Sequence, residues 1–136
     1  MSDEAIGDRD YEALAAFRYA LRRFVAFSEA EAKAAGLTPR QHQALLAIKG
    51  TPPASRGLAI GQIADHLMIR HNSAVELVDR LVEAGLVLRQ ADTVDGRRIL
   101  VTLTARSEVL LQSLSVAHLR ELRANRSRML ALLRRF

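Results

Sequence analysis

A mostly α-helical chain carrying one small β-hairpin is the fold class this sequence predicts, on three observations. Apolar residues recur at spacings of three and four along most of the chain. Helix start and stop signals punctuate that spacing at Gly36, Thr38-Pro39, Gly50, Gly85 and Thr104. The helical period gives way to alternation only in two short segments, on either side of Asp92-Thr93-Val94-Asp95-Gly96.

Each element has its own reason. Tyr11, Leu14, Phe17, Leu21, Phe24, Val25 and Ser28 share one helical face and predict a long amphipathic helix over 10–34, ended by Gly36. Thr38 as cap, Pro39 at the first helical position and Gln41 three residues after the cap start a second helix, which closes at Gly50 and buries Ala44, Leu45 and Ile48. The run from Thr51 to Gly57 is the one loop-like cluster, and no other linker divides the chain. Ile60 to Leu67 makes a helix of barely two turns. Met68-Ile69 follows, then a longer helix from about His71 to Ala84 with Ala74, Leu77, Val78 and Leu81 on one face. Gly85 followed by Leu86 fits a left-handed stop with an apolar residue behind it. Leu86, Leu88 and Gln90 alternate with Val87 and Arg89, and Ile99, Val101 and Leu103 with Leu100 and Thr102, which predicts the two strands of a hairpin. Thr104 caps a final helical region through Leu111, Leu114, His118, Leu122, Met129, Leu132, Leu133 and Phe136, with Asn125 as a candidate break.

Composition narrows the function. With 136 residues, 49% apolar and 26% charged, the chain is expected to fold as one structural domain. Its longest apolar runs are five residues, far short of the ~20 that span a bilayer. Its start lacks the basic and apolar stretches of a secretory signal, so a cytoplasmic protein without membrane contact is expected. The absence of cysteine removes disulfides and thiolate chemistry. His42, His66, His71 and His118 lack the i, i+4 spacing of a helical zinc pair, and no metal or other cofactor is expected. No phosphate loop, nucleophile elbow or metalloprotease helix occurs, and an enzyme is not expected.

The net charge of +5 favours a polyanionic partner, but it is unevenly placed: residues 1–12 carry −4, 13–55 carry +4, 56–104 carry zero and 105–136 carry +5. Of the 20 basic residues 18 are Arg, which suits phosphate but also fits a codon bias.

A short helix, a tight turn, a longer helix and a two-stranded hairpin make a winged helix-turn-helix, whose second helix fits the major groove. Here the residues resemble the MarR (multiple antibiotic resistance regulator) family. The likeness runs through Leu37-Thr38-Pro39, Leu45-Leu46, Ile60-Gly61-Gln62-Ile63-Ala64, Leu77-Val78-Asp79-Arg80-Leu81, Gly85-Leu86-Val87, Asp92, Asp95-Gly96-Arg97 and Leu103-Thr104. Once the core face of the second helix is set aside, Arg70, His71, Asn72, Ser73, Val75, Glu76 and Arg80 remain to meet double-stranded DNA. His71 and Ser73 suit a phosphate, Asn72 an adenine, Val75 a thymine methyl and Glu76 a cytosine amine. A merely solvated face would use the same residues. The hairpin brings Asp95, Arg97 and Arg98 to its tip; the resemblance gives Arg97 the minor groove and Asp95 the task of fixing the turn. Arg56, Arg80 and Arg89 are lesser candidates for backbone contact.

The resemblance also implies a homodimer, divided into an N-terminal dimerisation helix at 1–36, a DNA-binding region at 37–104 and C-terminal dimerisation helices at 105–136. Tyr11, Leu14, Leu111, Leu114, Leu122, Met129, Leu133 and Phe136 are the expected dimer contacts. Such a protein is expected to be a repressor reading a pseudo-palindromic site and relieved by a small aromatic or anionic effector, with Phe17, Phe24 and His42 as candidate lining beside Phe27, Arg18 and Arg40. Plain core and surface roles account for those residues more simply. The rival reading is a winged-helix protein-interaction module without DNA binding, favoured by Glu76 and by the neutral middle segment.

Overall fold

The computed structural model describes residues 5–53 and 56–136; the positions of Ala54 and Ser55, within the loop expected from Thr51 to Gly57, lie outside the described residues. In chain order the elements are α1 (Asp8–Ala34), α2 (Pro39–Gly50), α3 (Ile60–Leu67), α4 (His71–Glu83), β1 (Val87–Ala91), β2 (Ile99–Leu103) and α5 (Ala105–Leu133). The expected architecture is present, a helical chain with one antiparallel hairpin pairing Val87 with Leu103 and Ala91 with Ile99.

Local chemistry fixes the boundaries. The Gly7 amide donates to the Asp10 carboxylate at 2.9 Å and starts α1 two residues before the expected position. Gly36, at φ 80°, lets the chain leave α1 while the Leu37 amide reaches back to the Ala32 carbonyl. Thr38 and Gln41 cap α2 reciprocally, at 3.1 and 2.9 Å. Gly85, at φ 71°, ends α4 with its own amide on Val82 and the Leu86 amide on Leu81, the six-to-one closure that buries Leu86.

The last helix departs from expectation at Asn125, which does not break it. The Asn125 amide donates to the Glu121 carbonyl one turn back and to the Glu121 side chain, both at 2.9 Å, so its polar group is satisfied within a continuous helix. α1 and α5 run antiparallel, with Phe17 meeting Phe136 at one end and Ser28 meeting His118 further along.

One core joins all the helices to the root of the hairpin. Leu45, Ile63, Val78, Leu81, Val87 and Val101 are fully enclosed, with Ala32, Leu111 and Leu114 closing it from α1 and α5. The simple strand alternation fails here: in β2 both Leu100 and Val101 are buried, while in β1 only Val87 is. The cause is a third stretch of backbone, since Leu58 exchanges two hydrogen bonds with Val101, at 3.0 and 2.7 Å, and covers the root. Leu111 and Leu114, expected on the dimer stripe, instead lie in this chain's own core at 3% and 4% exposure and offer a partner nothing.

Candidate nucleic-acid interface

The approach to α4 is set by an unusual turn. After α3 the chain turns at Met68 in the left-handed conformation (φ 54°, ψ 45°), its side chain almost wholly exposed, and the Ile69 amide closes the turn on the Ala64 carbonyl. α4 then begins at Arg70, an extended residue whose side chain makes no capping bond. The first amides of α4 therefore lack a side-chain acceptor, and they lie at the positive end of the helix dipole.

Ala74, Leu77, Val78 and Leu81 hold α4 to the core. The seven candidate residues on or beside it do not share one surface. Ser73, Glu76 and Arg80 face the start of α2 and, with Thr38, Pro39, Arg40, Gln41 and Leu77, line an open groove of about 410 Å³. Arg70, His71 and Asn72 are exposed at the N-terminal end, and Val75 is half-buried. Asp79, one turn further on, is paired with Arg89 of β1.

At the wing, the Asp95 carboxylate accepts the Arg97 amide at 3.2 Å and the Asp95 carbonyl accepts the Arg98 amide at 3.0 Å, which tightens the tip. The Arg97 guanidinium lies 3.7 Å from Asp95 and its side chain is 97% exposed, the freest base of the hairpin. Arg98 is held: its Nη2 donates to Gln62 Oε1 of α3 at 2.8 Å, and the same oxygen accepts the Ala59 amide that opens α3.

The wing base is fixed by a pair that sequence reasoning did not find. Asp92 is buried, its carboxylate accepting the Val94 amide at 2.9 Å and both hydrogen bonds of the Arg56 guanidinium. The Val94 amide is the main cause that holds this carboxyl below the usual carboxylate range; burial opposes the shift, and Arg56 adds to it. Arg56 and Arg89, considered as phosphate contacts, are thus both engaged within the protein. No local spacing signalled these pairs, although Gln62, three residues after Ala59, stands where a capping side chain belongs.

Away from this face, His42, Phe24 and Phe27 converge on His118 at the junction of α1, α2 and α5, with ring centroids 4.9, 6.0 and 5.4 Å from it. Phe17 is elsewhere, edge-on to Phe136 at 5.9 Å, so the three candidate lining residues do not form one wall. Among the described residues no group of three or more His, Asp or Glu side chains is placed to hold a metal ion, and no helix is long and apolar enough to cross a membrane.

A short helix, a tight turn, a second helix with a polar outer face and a hairpin fastened beside it define a winged helix-turn-helix. Residues 35–98 match the model of the MarR family. The chain has the fold of AbsC, a MarR family transcriptional regulator from Streptomyces coelicolor, at 17% identity and TM-score 0.72 over 89% of this chain and 80% of that one. It is similar to the MepR F27L mutant of S. aureus bound to an oligodeoxyribonucleotide (20% identity, TM-score 0.64, 90% and 97% covered). It is also similar to CouR from Rhodococcus jostii bound to p-coumaroyl-CoA (22%, 0.65, 88% and 88%). No curated relative matches the chain in sequence.

Proposed function

We propose that this protein is a homodimeric transcription regulator, a repressor, that reads a pseudo-palindromic site in double-stranded DNA with α4 in the major groove and the wing on the adjacent minor groove. The observation that carries the reading is the contrast among its basic residues. Arg56, Arg89 and Arg98 are committed to partners inside the protein, whereas Arg97 extends from a tip whose base they fasten, beside an α4 whose first amides have no side-chain cap. A phosphate would complete that helix end, with Arg70, His71 and Ser73 around it. Asn72, Val75 and Glu76 then face base edges, and Arg80 the backbone. MepR, with the same fold, engages an oligodeoxyribonucleotide, which supports this use of the surface.

Residues 37–104 are the DNA-binding region in this reading, and 1–36 with 105–136 the dimerisation segments. Tyr11, Leu14, Leu122, Leu133 and Phe136 are exposed apolar residues, and a groove of about 380 Å³ between α1 and α5, lined by Leu122 and Met129, awaits cover. A small aromatic or anionic effector would act at the junction around Phe24 and His42 by changing the separation of the two α4 helices; CouR, of the same fold, is bound to p-coumaroyl-CoA, which supports an effector of this kind. Catalysis forms no part of the proposal.

The test is a fluorescence binding titration with the DNA upstream of the protein's own gene at fixed salt, beside sedimentation of the free protein. Arg97→Ala and Asn72→Ala should each weaken specific binding by about 1–3 kcal/mol while leaving the dimer intact. Affinity no greater than for random DNA, or a monomer at micromolar concentration, overturns the proposal in favour of a protein-interaction module.

A further inference from the structure

Arg98 stands next to the most exposed base of the wing, yet its guanidinium turns back to the body of the protein. Nη2 donates to Gln62 Oε1 at 2.8 Å, an acceptor already fixed in place by the Ala59 amide at 3.0 Å. The Arg98 backbone is fixed as well: its amide is bound to the Asp95 carbonyl at 3.0 Å, and its carbonyl accepts the Asp92 amide at 2.8 Å. Asp92 in turn grips Arg56, in the segment that leads into α3. The root of the hairpin is held by the Leu58–Val101 hydrogen bonds and by Arg89 on Asp79 of α4; nearer the tip it is attached to α3 and the segment before it at two further places, by Asp92 just after β1 and Arg98 just before β2. A two-stranded hairpin has little rigidity of its own, so beyond its fixed root the aim of the tip depends on the attachments at Asp92 and Arg98.

From this we propose that Arg98 is a positioning residue for DNA recognition, a strut that sets the wing against α3 and so aims Arg97, and that it makes no phosphate contact of its own. The inference rests on the DNA-binding reading above and assigns a different task to one of its wing residues. A phosphate contact and a strut make different demands. The contact would release a counterion and would not care about Gln62; the strut releases none and exists only through Gln62.

The experiment is a double-mutant cycle of Arg98→Ala and Gln62→Leu, with Gln62→Glu as the variant that keeps the acceptor, read by DNA affinity at several salt concentrations. Loss of the strut should cost about threefold per wing, hence about tenfold for a dimer engaging two half-sites. Arg98→Ala and Gln62→Leu should each produce that loss, the double variant should be no weaker than either, and Gln62→Glu should bind like the unaltered protein. The slope of log affinity against log salt should stay unchanged in Arg98→Ala, but fall by about one per lost contact in Arg97→Ala. Additive losses, a lower slope in Arg98→Ala, or undiminished affinity would overturn the strut. Amide exchange in the free protein supplies a readout that needs no DNA: the Val94 and Arg98 amides should exchange faster in both Arg98→Ala and Gln62→Leu. Unaltered exchange refutes the strut even if DNA binding holds; absence of DNA binding by the unaltered protein refutes the functional reading instead.

Discussion

Arg56 and Asp92, 36 residues apart in the chain, meet through one guanidinium nitrogen that donates to both carboxylate oxygens at 3.2 and 3.0 Å. The carboxylate is buried and the guanidinium partly exposed, so the pair closes the root of the wing with its anion inside and its cation at the surface. Asp92→Asn should lower the melting temperature and loosen the wing. The acid dependence follows from the depressed folded-state value. Stability from this group is fully present above its unfolded value of 3.8 and is lost as pH falls through the lower folded one. Melting temperatures of the unaltered protein should therefore drop more steeply below about pH 4 than those of Asp92→Asn; parallel curves would show that the pair has no such role.

Gly57 lies where the connector into α3 crosses β2, at φ 93°, and an added Cβ would stand 2.6 Å from the Val101 carbonyl oxygen and 2.8 Å from Thr102 Cγ2. Gly57→Ala combines a left-handed backbone with a clash against backbone that cannot move without breaking the Leu58–Val101 bridge. A loss of roughly 2–4 kcal/mol is expected, read from the denaturant midpoint.

Much of this was legible from neighbouring residues, because the chemistry concerned is local. Thr38, Pro39 and Gln41 cap α2 within four residues, and Gly85 with Leu86 stops α4 within one turn. Periodicity found the faces of the helices but could not say what each face meets. Leu111 and Leu114 share a spacing with Leu122 and Leu133, yet the first two complete this chain's own core and the others are exposed. Pairings such as Arg56–Asp92 and Arg98–Gln62 depend on folding that brings residues 36 apart together, and nothing in the spacing of charges announces them. Asn125 misled for a related reason: a helix tolerates a polar side chain that can return to the carbonyl four residues earlier.

Met68 bears a conformational cost that glycine would not. It occupies the left-handed region with its side chain 93% exposed, so little packing offsets the strain. Met68→Gly should stabilise the protein by about 0.5–1 kcal/mol, and Met68→Val, branched at Cβ, should destabilise it by about 1 kcal/mol. Thermal melts of the two variants should move in opposite directions; a loss in Met68→Gly would mean that the methionine packs against something in solution.

His42 brings acid sensitivity to the junction between the outer helices and the DNA-binding region. Burial, and secondarily the neighbouring His118, lower its pKa below 6.5. Its ring lies 4.9 Å from that of His118, whose Nδ1 is 2.7 Å from the Leu114 carbonyl and whose Nε2 is 2.8 Å from Ser28 Oγ. A carbonyl can only accept, so Nδ1 carries the proton, and in the neutral ring Nε2 accepts from Ser28. The folded protein thus favours a neutral His42, while the unfolded chain takes up a proton more readily. No penalty exists well above pH 6.5, and one grows as pH falls from there toward the lower folded value. Replacing His42 with Leu removes the titrating group and keeps an apolar side chain at the site. Between about pH 7.5 and about pH 5.5 the melting temperature of the unaltered protein should fall further than that of His42→Leu. Equal falls would locate the acid sensitivity elsewhere, and a smaller fall in the unaltered protein would reverse the sign assigned to His42.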